Sequence, residues 1–273
     1  MNVEVLDVDD REIRLRVENT TAGEMNALRR TMMTEVPSLA IEDVTIYDNR
    51  SALFDEVVAH RLGQLPVPTD PNLFAEWDPH ADLDAQTEEG EGAILYTLTF
   101  EGPGTVRAKD LTPATEDEGV EIADPEVPIV KLGRDQRLML EATASMGTGE
   151  QHSKWQPVVA VGYREVPTVE ITGDLGLSAE EMSELDEMAP EDAIDVDGGN
   201  VDILDEVAAH DFLYNVDGRP ELENVEYGEE EGAFFFRFET DGSLSPKTAL
   251  RQAIAILDEK LSAVHEEAAT LQA

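Results

Sequence analysis

Toward the C-terminus, Leu250, Ile254, Leu257, Leu261, Val264, Ala268 and Leu271 recur at spacings of 4, 3, 4, 3, 4 and 3. An unbroken a/d seam of this kind is the pattern of a helix that packs lengthwise along another helix. Its start is marked too. Ser245 can accept the free N–H groups of the first turn, and Pro246 takes the first helical position, where a missing N–H costs nothing. The pattern alone leaves two destinations open for the seam, a partner helix or the chain's own sheet.

At the other end, Thr21 and Glu24 form a Thr-x-x-Glu capping box, followed by an apolar stripe of Met25, Leu28 and Met32 that Val36-Pro37 halts. Arg29 and Arg30 are adjacent on this helix, and Arg suits bidentate contacts with carboxylates or phosphates. A solvated helix face with local Glu partners is the plainer alternative. Alternation predicts strands over Val3 to Val8 and Ile13 to Val17, a further one through Leu39, Ile41, Val44 and Ile46, and one over Ala233 to Thr240. Between these ends the pattern predicts a helix over Phe54 to Leu62 and an acidic loop over Asp82 to Gly92. Strands are predicted at Ala93 to Phe100, Val127 to Leu132, Leu138 to Ser145 and Val158 to Val166. Two short helices follow, near Ser178 to Met188 with Ser178 and Glu181 as caps, and near Val201 to His210. The sum is an α+β chain with helices laid on sheets.

Four segments carry a family resemblance. The run from Gly23 to Arg30, followed by Glu35 to Ile41, resembles the first helix and strand of the alpha-type assembly subunits of cellular RNA polymerases. His60 to Val67 is similar to a segment of the archaeal and eukaryotic branch, and Gly242 to Leu250 to the lead into the C-terminal helix. Ala142 to Pro157 resembles the Gly-rich loop of the middle domain. With four blocks in one order, the chain is identified as a member of the archaeal branch, the D subunits, with a haloarchaeal composition. The resemblance implies a discontinuous dimerisation domain from residues 1–48 and 224–273, an inserted mostly β domain over 49–167, and a small ferredoxin-like module over 168–223. It also implies a non-catalytic scaffold that pairs with a small L subunit and then gathers subunits N and P and the large catalytic subunits. Met25, Leu28, Arg29, Arg30 and Met32, with Leu250, Ile254, Leu257, Leu261 and Val264, would serve that assembly. His152, Lys154 and Trp155 would reach neighbouring subunits from the Gly-rich loop.

Composition sharpens this picture. There are 61 acidic residues against 19 basic ones, a net charge of -42, yet 41% of the chain is hydrophobic, so it can fold. Such acidity suits a cytoplasm of very high salt, where the Debye length shrinks to roughly 3 Å at 1 M. The charge is uneven. Residues 1–65 hold 13 acids and 7 bases, whereas residues 166–230 hold 21 acids and only Arg219. Charge is depleted from interface cores, so the first window reads as surface to be covered and the second as surface left to solvent. No basic patch could neutralise a run of phosphates, which argues against direct DNA contact. No leading apolar signal or run of eighteen apolar residues appears, so the expectation is a cytoplasmic chain with no membrane partner.

Cofactor chemistry finds little support. Ala189-Pro190-Glu191-Asp192-Ala193-Ile194 resembles the last stretch of a bacterial ferredoxin cluster site, and some archaeal D subunits carry a ferredoxin-like domain here. The four ligand positions counted back from Pro190 are Ala179, Met182, Leu185 and Ala189, in a chain with no cysteine. None can supply a thiolate, so no iron–sulfur cluster is expected, and the redox-carrier alternative loses its ligands. Asp195, Asp197 and Glu206 faintly follow a calcium loop, but Gly199 and Asn200 occupy the wrong places, and an acidic hairpin is the simpler reading. The five histidines, His60, His80, His152, His210 and His265, show no zinc spacing. Gly147-x-Gly149 is a fragment of a dinucleotide fingerprint without its third glycine, and a β turn explains it better. Neither the setting of a hydrolase nucleophile nor the Asp-x-Asp-Gly-Asp cluster of a two-metal polymerase centre is present; the resemblance implies that magnesium belongs to the large subunits.

The charge asymmetry makes a prediction. On dilution from molar salt to about 0.1 M, where the Debye length rises to roughly 10 Å, amide hydrogen exchange should quicken first within residues 166–230. Equal acceleration along the chain would show that acid density does not set local stability.

Overall fold

The computed structural model describes residues 1–72, 77, 93–114, 120–197, 200–216, 222 and 224–270. In chain order the elements are β1 (Asn2–Val8), β2 (Glu12–Glu18), α1 (Ala22–Thr34), β3 (Ser38–Asn49), α2 (Asp55–Gly63) and β4 (Ile94–Glu101). There follow β5 (Gly104–Arg107), β6 (Thr112–Pro113), β7 (Pro128–Leu132), β8 (Arg137–Gly147), β9 (Val158–Ile171) and α3 (Ala179–Met188). The last are β10 (Ile194–Asp197), β11 (Asn200–Ile203), α4 (Glu206–Asn215), β12 (Val225–Thr240) and α5 (Pro246–Thr270). The fold is α+β, as the pattern predicts. One sheet has the order β1-β2-β12-β9 and so joins strands from both ends of the chain; a second has the order β3-β8-β4-β6, and β5-β7 and β10-β11 form two-stranded ribbons. The expected loop over residues 82–92, the turn at Gly198-Gly199, His80 and Leu271 lie outside the described residues.

The chain gathers into two compact units. One holds Met1–Glu4, Leu15–Met25 and Tyr163–Phe236; the other holds Val5–Arg14, Asn26–Gly162 and Arg237–Ala273. In the larger unit, β8 is the central strand, paired antiparallel with β3 from Ser38↔Gly147 to Asn49↔Leu138 and with β4 from Ile94↔Ala144 to Glu101↔Arg137. Alternation puts Leu138, Leu140, Ala142 and Ala144 on one face, all buried, where they meet Tyr96 and Leu98 of β4 and Val58 and Leu62 of α2. Burial pushes the Tyr96 phenol up to about 12, so it stays neutral and donates to the Val120 carbonyl at 2.9 Å.

The lead into α5 is tied down in this same unit. Arg11 forks onto Asp124 at 2.7 and 3.1 Å and also donates to the Asp241 carbonyl at 3.1 Å. Gly242 has φ +101 and lies against the Arg11 guanidinium, so a side chain here would be both strained and obstructed. The Ser243 amide and hydroxyl donate to Asp241 Oδ1 at 2.8 and 2.6 Å, and the Thr69 amide donates to the Ser243 carbonyl at 2.8 Å. Burial raises the Asp241 carboxyl above the usual range, against these hydrogen bonds. Ser245 then caps α5 as expected, accepting from the Thr248 amide at 3.2 Å.

The smaller unit contains a core of its own, with Leu175, Met182, Leu185, Ala193, Ala209 and Leu213 buried together. α3 begins with the predicted capping box, Ser178 accepting from the Glu181 amide while the Glu181 carboxylate accepts from Ser178. The helix predicted over Val201 to His210 is corrected. Val201 and Ile203 are strand residues that pair with Val196 and Ile194, and the helix starts only at Glu206, where Asp205 caps it by accepting from the Ala208 amide at 2.8 Å. Alternating β-branched residues opposite a matching strand favour the ribbon over helical extension. The ribbon runs antiparallel as far as the Asp197↔Asn200 pair. Much of the acidic stretch read alternatively as a calcium loop therefore lies in paired strands.

Candidate functional site

α5 divides its surface between two stripes. Ala249 and Ala253 are fully buried, so the helix packs on its own unit through its smallest side chains. The heptad seam is rotated away from them: Leu250 and Leu257 are half-buried, whereas Ile254, Leu261 and Val264 are 52%, 69% and 66% exposed. Beyond Leu257 every described position of α5 is exposed to its last residue. A half-buried Leu at one end and bare Leu and Val at the other is what remains when one face of a long helix has no companion. Lys260 forms an ion pair with Glu35, just past the end of α1.

On α1 the cap forms as predicted. The Glu24 carboxylate accepts from the Thr20 hydroxyl and the Thr21 amide, each at 2.9 Å, and these bonds hold it below the usual carboxylate range. Met25 and Met32 are buried, 2% and 0% exposed. They lie seven residues apart, two helical turns, and fill the chain's own interior. Leu28 and Arg29 are half-buried and Arg30 is exposed. Arg29 donates to the Val161 carbonyl at 3.1 Å; Arg30 has no side-chain partner among the described residues.

The Gly-rich loop packs on the end of α1. The Glu150 amide donates to the Thr34 carbonyl at 2.9 Å, and a Cβ on Gly149 would come within 2.0 Å of the Met33 carbonyl oxygen. Gly149 thus serves the close approach of two backbone segments. Trp155 is turned inward. It is only 3% exposed, its indole N–H donates to the Ser145 carbonyl at 2.9 Å, and its ring lies against Gly147. Large apolar area and a donor that needs a partner make Trp a core residue wherever a glycine leaves room for it. Lys154 is also engaged at home. Its ammonium pairs with Glu42, donates to the Ile41 carbonyl at 3.3 Å and sits 4.3 Å from the Trp155 ring centre, and burial lowers its pKa. His152 alone of the three is exposed, its Nδ1 accepting from the Lys154 amide at 3.1 Å.

The RNA polymerase Rpb3/Rpb11 dimerisation domain matches residues 14–261 of this chain. The chain belongs to that family. Among its relatives are the DNA-directed RNA polymerase subunits Rpo3 of Methanothermobacter thermautotrophicus, 36% identical over 97% of both chains, and of Methanosarcina acetivorans, 35% identical over 95% of both. The Rpo3 of Halobacterium salinarum is 35% identical over 94% of this chain and 92% of its own. Within the Rpb3/Rpb11 family frame, α1, α5 and the Gly-rich loop are the segments that earlier carried the resemblance.

The cluster positions do not fit iron and sulfur. Ala179, Met182 and Leu185 lie on α3 with Ala189 at its end; Met182 and Leu185 are buried in the apolar core, Ala189 packs against it, and Ala179 is exposed. Spacings of 3, 3 and 4 are also those of an amphipathic helix stripe, and that is how the chain uses them. Among the described residues no group of three or more His, Cys, Asp or Glu could hold a metal ion, and no helix is long and apolar enough to cross a membrane. Sequence reasoning missed exposed Phe54, which is 79% exposed at the N-cap of α2. An aromatic residue where Ser or Asp usually sits was the available signal.

Gly147→Ala should therefore disturb the loop from within, because the new methyl would sit 2.3 Å from Trp155 Cδ2. A loss of about 1–3 kcal/mol is expected on chemical denaturation, with red-shifted tryptophan emission. Unchanged emission and stability would show that the indole does not depend on this glycine.

Proposed function

We propose that the chain is the non-catalytic, alpha-type assembly subunit, the D position, of the DNA-directed RNA polymerase of a halophilic archaeon. It acts in the cytoplasm, pairs with subunit L through its end domain, and presents the pair to N, P and the large subunits. The observation that supports this most is the bare half of the α5 seam, where Ile254, Leu261 and Val264 face solvent in a helix otherwise anchored by buried alanines. Covering each of these side chains with a partner helix would contribute roughly 1.5–3 kcal/mol, enough with a few neighbours to favour a lasting heterodimer. The relatives' naming as polymerase subunits supports the same reading. Nucleotidyl transfer and its magnesium would reside on the large subunits. The module over residues 168–223 would be a ferredoxin-like remnant held by an apolar core and binding no cofactor.

Two variants test this. Leu261→Asp changes a residue already exposed in the chain, so the fold should survive while copurification of L is lost; retained L at normal yield would refute the role of the seam. Arg30→Ala should leave the pair with L intact and reduce capture of the large subunits, since among the described residues its guanidinium has no side-chain partner to lose. Normal yield of complete polymerase would reduce Arg30 to a solvated charge.

A further inference from the structure

α4 leaves part of its apolar surface open, although it lies in an acidic stretch of the chain. Its inner face places Ala209 and Leu213 in the core, both 0% exposed. Beside that face lie Ala208, Asp211, Phe212 and Asn215, at spacings i, i+3, i+4 and i+7, with Ala208 and Phe212 half-buried at the edge of the same core. These four form one wall of a groove of about 590 Å³, closed on the other side by Met188 at the end of α3 and by Pro190, with Val216 at one end. Met188 is 51% exposed, and among large apolar side chains Met adapts best to varied surfaces.

The charge around the groove selects what can fill it. Asp192 lines it with no side-chain partner among the described residues, and Glu187 and Glu191 are exposed beside it. Asp211 lines it as well, held at 3.1 Å by Arg164, whose cation is thereby occupied. Residues 166–230 hold 21 acids and one base, so a second copy of this chain would bring like charge against like. An apolar floor inside an acidic rim fits an amphipathic helix with Leu-type anchors and Lys or Arg along its edges. We infer that the groove between α3 and α4 is a docking site for a cationic amphipathic helix of a partner protein. The site uses none of the α1 or α5 residues and is independent of the assembly reading.

The test uses the full chain and three labelled synthetic helices, read by fluorescence anisotropy over a range of salt. The first carries a Leu stripe with Lys flanks, the second keeps the Leu stripe with Glu flanks, and the third keeps Lys but replaces Leu by Ser. The first should bind at least about tenfold more tightly than either of the others. Phe212→Ala and Asp192→Lys should each weaken it about tenfold. Because Asp192 lies exposed in a turn, its variant should fold even if the Phe212 variant does not. Equal binding of the Ser helix, or binding unaffected by Asp192→Lys, would reduce the interaction to bulk charge and overturn the site. Equal binding of the Glu helix, or no binding of the first, would overturn it too.

Discussion

The constraint on which the exposed face of α5 depends is the choice of which of its side chains go inside. Ala249 and Ala253 are buried and the bulkier Ile254, Leu261 and Val264 are not. A small-residue stripe brings the helix close to its own unit, where the Asp241-Gly242-Ser243 lead-in fixes where it starts. Had the leucines turned inward, the same helix would bury more apolar area but leave alanine for any partner. The chain thus forgoes part of its own hydrophobic stabilisation and keeps that apolar area exposed. Lys260 and Glu35 pair near the place where α5 leaves its support, a partly exposed contact that adds direction more than energy.

The region around Trp155 applies the opposite logic. Two glycines that could have indicated a phosphate-binding loop instead let a backbone carbonyl and an indole ring approach without hindrance. The Ser38 hydroxyl donates to the Trp155 carbonyl at 2.9 Å, so the start of β3, the end of β8 and the loop share one hydrogen-bonded cluster. Lys154 is drawn into it by Glu42 and the ring face. Of the three side chains offered by the loop pattern, Trp155 is buried with its N–H satisfied and Lys154 offsets its partial burial through Glu42 and the Ile41 carbonyl. His152 is left on the surface.

Acidity is handled by placement. The sheet of β3, β8, β4 and β6 builds a continuous apolar core from residues scattered between 39 and 146. The module of α3, α4 and the β10-β11 ribbon has a smaller core under a much denser acidic surface. Exposed Met188 and half-buried Phe212 mark a place where that module's surface departs from a uniformly charged shell.

By itself the sequence determined the signals that act over one or two turns or along a strand. Pro246 and Ser245 set the start of α5, Thr21 and Glu24 that of α1, and Ser178 and Glu181 that of α3, because a cap is satisfied within four residues. Alternation likewise placed β3, β4 and β8. It failed at Val201 to His210, where the ribbon partner, Ile194 to Asp197, lies outside any helical window. The tertiary structure decided what each apolar stripe faces. Met25, Met32 and Trp155 have the residue types of interface anchors and are core, whereas Ile254, Leu261 and Val264 belong to a packing seam and are exposed. Periodicity fixes which residues share a face, but only the arrangement of distant elements determines whether that face meets protein or water.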